Sequence, residues 1–272
     1  MNLIHLETLD DPRLHPYRHL RRTNWTRYSG LFIAEGRRVV GRLLRSRFPV
    51  QSLLLSQRRL KWLEELAADL PPELPIYVLP HPLAQQLVGY NFHTGILGCG
   101  RRLPEPELEQ MAAPPGERSL LVACIKMESP DNLGTVIRLA AGFGCTGVLL
   151  GRGSADPLSR RVLRVSMGHA LFVPLRWCDV LEEDLLALRS GWGYTLLGAE
   201  VAPGAVPLEE LKPPRRCVLL LGNEDTGLTA RWLELCDQLA QIPMAPGVDS
   251  LNVAAAAAVF LYHLSQESSS AD

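Results

Sequence analysis

Three short segments hold side chains at spacings that suit chemistry. The first, ESPDNLGTVIRLAAGFG, carries Asn132 and Arg138 in an N-x-G-x-x-x-R run. Six residues separate the two, about one and two-thirds turns of a helix. An arginine near the end of a buried strand can clamp a phosphate through parallel N–H donors. The plainer reading is a helix capped by Asp131 or Asn132 with an arginine on its surface, and the segment alone supports both. In the second segment, LLLGNEDTGLTARW, an apolar run ends in Gly222, Asn223 and Glu224, turns at Gly227, and restarts as a helix at Thr229. Open α/β sheets bind ligands in loops of this kind, and a polar connection needs the same glycines for turning. The third, QIPMAPGVDSLN, is a proline-stiffened loop with Ile242, Met244, Ser250, Leu251 and Asn252, leading into the apolar stretch AAAAAVFLYHL. Ser250 is placed to cap that helix, with Asp249 beside it. The unpaired N–H groups of a helix N-terminus, behind a stiff loop, can hold a flat apolar ligand.

Other candidate chemistry is weaker. Gly142, Gly144 and Gly147 satisfy G-x-G-x-x-G, the dinucleotide-binding fingerprint. That fingerprint needs a strand before it and a helix after it, whereas here a helix precedes and a strand follows. The glycines therefore read as a helix C-cap and a tight turn. No P-loop, G-x-S-x-G or H-E-x-x-H run is present. The cysteines at 99, 124, 145, 178, 217 and 236 include no C-x-x-C pair, and of the seven histidines only His15 and His19 stand at H-x-x-x-H spacing, with Pro16 between them. Buried thiols in a reducing compartment are expected, with no metal site. His81 and His93, near prolines and glycines, read as loop or packing residues.

The elements that must position the three segments alternate between strand and helix. LLVACIKM, GVLLG, YTLLGAE and CVLLLG are strands, separated by helical stretches that include 155–168, LEEDLLALRSG and a last helix over 250–265. LFVPLRW (171–177) and LAQIPM (239–244) are also read as strands. VLLL and LVACI are apolar at every position, the pattern of strands buried on both faces of a parallel sheet. Before the acidic, proline-bearing stretch 106–117, read as a linker, a smaller α/β domain of residues 1–105 is expected, and a larger one follows over 118–272.

The 272 residues, 47% hydrophobic and 21% charged, describe a folded globular chain. No run of eighteen apolar residues occurs and the start, MNLIHLETLDD, is too polar for a signal peptide, so a cytoplasmic location is expected. A net charge of −1 conceals an asymmetry, since residues 1–60 hold twelve arginines against four acids. Such a concentration suits a polyanion, or simply a solvated face. Arg21, Arg22, Trp25, Arg27 and Tyr28 interleave cations with aromatics, which suits RNA.

Taken together and in order, N-x-G-x-x-x-R, G-N-E-x-x-G-L and I-P-M…S-L-N-V resemble the SpoU (TrmH) family of S-adenosylmethionine-dependent RNA ribose 2′-O-methyltransferases, within the SPOUT superfamily. The similarity covers about residues 118–265, and FIAEGRRVV near the start resembles that family's L30e-like substrate-binding domain. The resemblance implies an α/β catalytic domain with a deep trefoil knot, and a homodimer whose site draws on both subunits. It implies cofactor contacts from Gly222, Ile242 and Leu251, largely through backbone groups, with Ala199, Asn223 and Met244 nearby. It implies a catalytic set of Asn132, Arg138, Glu224, Ser250 and Asn252, and no metal. Pro246-Gly247 and Ala254 depart from the family's common pattern. Large-subunit rRNA is the preferred substrate, with tRNA as the alternative. A noncatalytic RNA-binding knotted dimer is the rival from another class, a nucleotide-dependent oxidoreductase rests on the Gly142–Gly147 run alone, and a base methyltransferase fits the segments less well.

Overall fold

The computed structural model describes residues 1–18, 20 and 29–266, and the chain divides into two compact units. Met1–Pro104 and Leu158–Phe172 form the first, Glu105–Pro157 and Val173–Asp272 the second. Along the first stretch run β1 (Asn2–His5), β2 (Leu31–Glu35), α1 (Arg37–Arg45), β3 (Val50–Ser56), α2 (Trp62–Leu66), β4 (Pro75–Leu79), α3 (His81–Val88) and β5 (Ile96–Arg101). The second unit begins with α4 (Leu108–Met111), β6 (Ser119–Cys124), α5 (Pro130–Gly142) and β7 (Gly147–Leu150). The chain then returns to the first unit for α6 (Arg160–Val165). It finishes in the second with β8 (Leu175–Trp177), α7 (Leu181–Trp192), β9 (Thr195–Ala199), β10 (Val206–Pro207), β11 (Arg216–Leu221), α8 (Ala230–Leu235), β12 (Gln238–Gln241) and α9 (Val253–Ser265).

The first unit is built on a five-stranded sheet in the order β1-β4-β3-β5-β2. β1, β4 and β3 run parallel, while β5 is antiparallel to both β3 and β2. Its central strands are unbroken apolar runs, and Leu53, Leu54, Leu55, Ile76 and Leu79 are fully or almost fully buried. On α1 the apolar stripe of Val39, Val40 and Leu43 turns inward and leaves Arg37, Arg38 and Arg45 in solvent. α6 is tied into this unit by charge: Arg160 pairs with the buried Glu35 at 2.8 Å and donates to the Tyr90 hydroxyl and the Leu20 carbonyl.

The second unit holds a seven-stranded sheet, β10-β12-β9-β11-β6-β7-β8, in which every described pairing is parallel. β6 and β11 are the central pair, and the all-apolar runs expected to be covered on both faces are buried along their length. Leu121, Ala123, Val218 and Leu220 pack with Leu185 and Leu188 of α7. Their neighbours Leu120, Val122, Leu219 and Leu221 point to the opposite face and are equally buried. α5 and α9 pack against each other. Parallel strands place all their carboxyl ends at one edge of the sheet, so the loops after β6, β9, β11 and β12 gather there.

Several expectations are corrected. Residues 106–117 are not an open linker. α4 forms there, Gln110 accepts from the Glu107 N–H at 2.9 Å, and Leu108 and Met111 lie in the core of the second unit. Leu158–Phe172, expected with the larger domain, clusters with the first unit. Only Arg160–Val165 of 155–168 is α-helical, because Pro157 and the left-handed Gly168 bound it. Pro174 confines β8 to three residues, and β12 stops before Pro243, which has no N–H to give a ladder. Arg21, Arg22, Trp25, Arg27 and Tyr28 lie outside the described residues. Among the described residues no helix is long and apolar enough to cross a membrane.

Candidate active site

A cavity of about 510 Å³ opens at the carboxyl ends of the second unit's strands. The loops after β9, β11 and β12 wall it, and α5 and α9 close it. Each wall has a local reason. β11 ends at Leu221, where its apolar run stops, and Gly222 follows with its backbone pressed onto the returning turn. A Cβ at Gly222 would overlap the Gly227 carbonyl group. Gly227 takes a left-handed φ of +61°, which glycine adopts without cost. Between them, Asn223 and Gly227 exchange backbone hydrogen bonds at 3.2 and 2.9 Å. The Asn223 side-chain oxygen accepts from the Asp225 and Thr226 N–H groups, and its amide donates to the Lys126 carbonyl at 2.9 Å. Asn223 therefore folds its own turn and ties it to the end of β6.

The helix that carries Asn132 is capped by Ser129, whose hydroxyl accepts from the Asn132 N–H, with Pro130 in the first turn. Neither Asp131 nor Asn132 is the cap. This frees the Asn132 side chain, which donates to Glu224 Oε1 at 3.1 Å while the Ser129 N–H reaches the same oxygen at 3.2 Å. At the other end of the cavity the cap of α9 is Asn252, not Ser250. Its Oδ1 accepts from the Ala254 and Ala255 N–H groups at 2.9 and 3.4 Å. Its amide donates to Asn132 Oδ1 at 3.1 Å. A directed chain thus runs Asn252 to Asn132 to Glu224, crossing three loops. Ala254 contributes only its backbone N–H to this arrangement, so the departure there removes no side chain from it.

Of the eleven residues singled out in the sequence, ten line this cavity. Asn132, Glu224, Ser250 and Asn252 do so on one side. Ala199, Gly222, Asn223, Ile242, Met244 and Leu251 supply the rest. Arg138 does not. It is exposed on α5, makes no hydrogen bond or ion pair among the described residues, and is absent from the cavity wall. Six residues of helix put it 240° round from Asn132, at about 100° per residue.

Sequence reasoning missed Glu200, Gln241 and Phe260, which also line the cavity. Glu200 was detectable as the first polar residue after the apolar strand YTLLGA, at the sheet edge where ligands bind. Among the described residues the cavity wall holds three carboxylates, Glu200, Glu224 and Asp225, and no Lys, Arg or His. Such a lining favours a cation and repels a phosphate. The Gly142–Gly147 run lies elsewhere, at the C-terminus of α5. Gly144 is left-handed and the Cys145 N–H returns to the Ala140 carbonyl, a helix-ending turn. The six cysteines are unpaired, and burial pushes the Cys99, Cys124 and Cys217 thiols up to about 12, far from a reactive thiolate. The His81 ring meets the Ser56 hydroxyl and the His93 ring the Asn91 carbonyl, both outside the cavity wall.

Comparison with known proteins agrees with this geometry. Residues 119–262 match the SpoU rRNA methylase family. The chain is 39% identical to an uncharacterized tRNA/rRNA methyltransferase of Mycobacterium bovis over 93% of its own length and 88% of that protein's. It is 27% identical to the 23S rRNA (guanosine-2′-O)-methyltransferase RlmP of Bacillus subtilis, covering 94% of each chain. The crystal structure of the SpoU methyltransferase AviRb from Streptomyces viridochromogenes in complex with the cofactor AdoMet superposes with a TM-score of 0.80 at 26% identity, over 94% of this chain and 98% of that one. On the ordered motifs, the all-parallel sheet and these matches, the chain belongs to the SpoU rRNA methylase family.

Proposed function

We propose that this protein transfers the methyl group of S-adenosylmethionine to a ribose 2′-hydroxyl of large-subunit rRNA. The observation that carries the reading is the cavity itself. Nine motif residues and Ala199 converge on one space at the strand ends, and its only charges among the described residues are negative. S-adenosylmethionine brings a sulfonium cation, which that lining attracts. A dinucleotide brings phosphates, which it repels, so the oxidoreductase reading loses its site as well as its fingerprint.

The chemistry is a displacement at carbon. The ribose oxygen attacks the methyl carbon, the carbon–sulfur bond breaks, its electron pair returns to sulfur, and the hydroxyl proton leaves to solvent or a base. The sulfonium is already activated, so the protein's task is to orient the acceptor and bind the donor. Gly222, Ile242 and Leu251 hold the cofactor mainly through backbone groups, and the Asn252–Asn132–Glu224 chain orders the edge where the ribose enters. Arg138 orients the hydroxyl while it holds the adjoining phosphate. Its very high pKa suits positioning, not proton abstraction.

No Lys, Arg or His among the described residues lines the cavity and Arg138 is exposed on α5 away from it, which supports its supply by a second copy. α9 leaves Val259 and Tyr262 exposed, with Tyr262 edge-on to Phe143 at the end of α5, an apolar surface for such a copy. In this reading the working unit is a homodimer, and the second unit carries the family's deep trefoil knot. The arginine-rich first unit is the L30e-like RNA-binding domain, and the enzyme acts in the cytoplasm.

Co-expression of Arg138→Ala with Glu224→Gln tests the shared site. Each variant alone is inactive, and random pairing restores about a quarter of wild-type methyl transfer, because half the dimers carry one intact site of two. Failure to recover activity in verified heterodimers refutes the sharing. Absence of S-adenosylmethionine binding by the wild-type protein, measured by calorimetry, favours the noncatalytic RNA-binding reading. Mapping 2′-O-methyl sites in cells with and without the protein separates rRNA from tRNA.

A further inference from the structure

We infer that Glu200 is a positioning residue, clamping the 222–228 turn as one wall of the cofactor cavity. The inference rests on the cofactor reading above. Glu200 follows β9 directly, and its N–H is fixed on the Ala240 carbonyl of β12 at 3.1 Å. Its carboxylate then bridges two segments. Oε2 accepts from the Leu228 N–H at 2.7 Å, and Oε1 from the Val201 N–H at 3.1 Å. Leu228 is buried in the core, so the carboxylate grips the turn at its anchored end.

The packing around this grip is close on both sides. A Cβ at Gly227 would overlap Glu200 Oε2, and a Cβ at Gly222 would overlap Gly227. Gly222, Gly227 and Glu200 are therefore stacked layers in which the middle residue has no room for a side chain. The glycines of G-N-E-x-x-G-L make the turn possible, and Glu200, outside that motif, fixes where it stops. A carboxylate accepting from a backbone N–H forms one of the stronger hydrogen bonds a protein makes. Without it the Leu228 N–H, on a residue buried in the core, loses its acceptor and the turn is free to spread.

Glu200→Ala raises the Kd for S-adenosylmethionine by about tenfold or more, the loss of one charge-assisted hydrogen bond. KM for the cofactor rises in step, while kcat at saturating cofactor stays within about twofold. Glu200→Gln recovers most of the affinity, because its amide oxygen still accepts from Leu228. The Val201 N–H lies at the exposed rim, where water replaces the lost acceptor. Gly227→Ala, which pushes a methyl group into the carboxylate, reproduces the rise in KM by an independent route. Thermal melts without cofactor confirm that each variant unfolds cooperatively.

Three results overturn the inference. Glu200→Ala binding the cofactor within twofold of wild type removes the clamp. A fall in kcat with unchanged KM moves the residue into the chemistry. If Glu200→Gln loses affinity for S-adenosylmethionine but not for the neutral product S-adenosylhomocysteine, charge and not position is the cause. Failure of the wild-type protein to bind the cofactor is a separate outcome that refutes the underlying function.

Discussion

The cap of α9 is also a link in the polar chain across the site, and substitutions at Asn252 separate the two roles. Asn252→Ala removes both. Losing an N-cap acceptor costs about 1 kcal/mol. Losing the hydrogen bond to Asn132 costs about 1 kcal/mol more. For a chain of this size that sum lowers Tm by roughly 4–8 °C. Asn252→Asp keeps the cap, since a carboxylate accepts from the Ala254 and Ala255 N–H groups as the amide oxygen does. A negative charge at a helix N-terminus adds about 0.3–1 kcal/mol. That gain offsets part of the roughly 1 kcal/mol lost with the Asn132 link, so its stability lies between those of wild type and Asn252→Ala.

The link, however, fails in Asn252→Asp. The introduced carboxylate faces Asn132 Oδ1 where a donor stood at 3.1 Å. Rotating the Asn132 amide relieves that clash and turns its oxygen onto Glu224 Oε1, where its nitrogen had donated at 3.1 Å. Either way one acceptor faces another, and the catalytic edge loses a hydrogen bond to a charged group. That loss corresponds to about 1.5–3 kcal/mol, or roughly ten- to a hundredfold in rate. Circular dichroism melts and transfer of a labelled methyl group to RNA read the two effects separately. Equal melting of the two variants, or wild-type transfer by Asn252→Asp, would refute the directed chain.

Three further outcomes follow from the same contacts. Arg160→Ala leaves the buried Glu35 carboxylate without its cation, held only by neutral hydroxyls such as those of Thr94 at 3.2 Å and Tyr90, and costs about 3–5 kcal/mol in urea unfolding. Glu35→Ala costs less, because Arg160 keeps Tyr90 and Leu20 and is partly exposed. Burial raises the Cys124 and Cys217 thiols to about 12. Stability from these groups is complete below the unfolded thiol's range and is lost as pH rises from about 9 toward 12, where only the unfolded chain ionises. Pairing Cys124→Ala with Cys217→Ala therefore flattens the alkaline fall in Tm, and an unchanged slope would exclude the thiols as its cause. Arg38 and Arg47 are exposed and unpaired among the described residues. Replacing both with alanine lowers RNA affinity and reduces the slope of log K against log salt by about 1.5–2, leaving cofactor affinity unchanged.

The strand-end loops were legible because unbroken apolar runs announce a doubly covered parallel sheet, and polar residues directly after them mark its open edge. That Gly222–Glu224 and Ile242–Asn252 belong to one site followed from the resemblance of the ordered motifs to the SpoU family. The caps were misread for a specific reason. Ser250 and Asn252 are both good N-caps locally, and the choice is made by the amide donor of Asn252, which reaches Asn132 across 120 residues. In α5 a local signal was overlooked: Pro130 in the first turn already points to Ser129 as the cap. The membership of Leu158–Phe172 was not legible at all. It depends on Arg160 meeting Glu35 across 125 residues, and a strand–helix alternation reads the same whichever core its helix joins.

The placement of Arg138 explains how binding and reaction are divided. A cavity lined with carboxylates holds a cationic donor and resists the phosphates of the acceptor. In the proposed reading, one chain therefore supplies the cofactor's cavity but not the charge that orients RNA. In that reading, an orienting arginine placed on α5 does not neutralise the carboxylates that attract the sulfonium. It also makes the acceptor's orientation conditional on a second copy. In the proposed dimer, cofactor binding needs one subunit and methyl transfer needs two. The Asn252–Asn132–Glu224 chain sits where those requirements meet, because Asn132 begins the helix that presents Arg138.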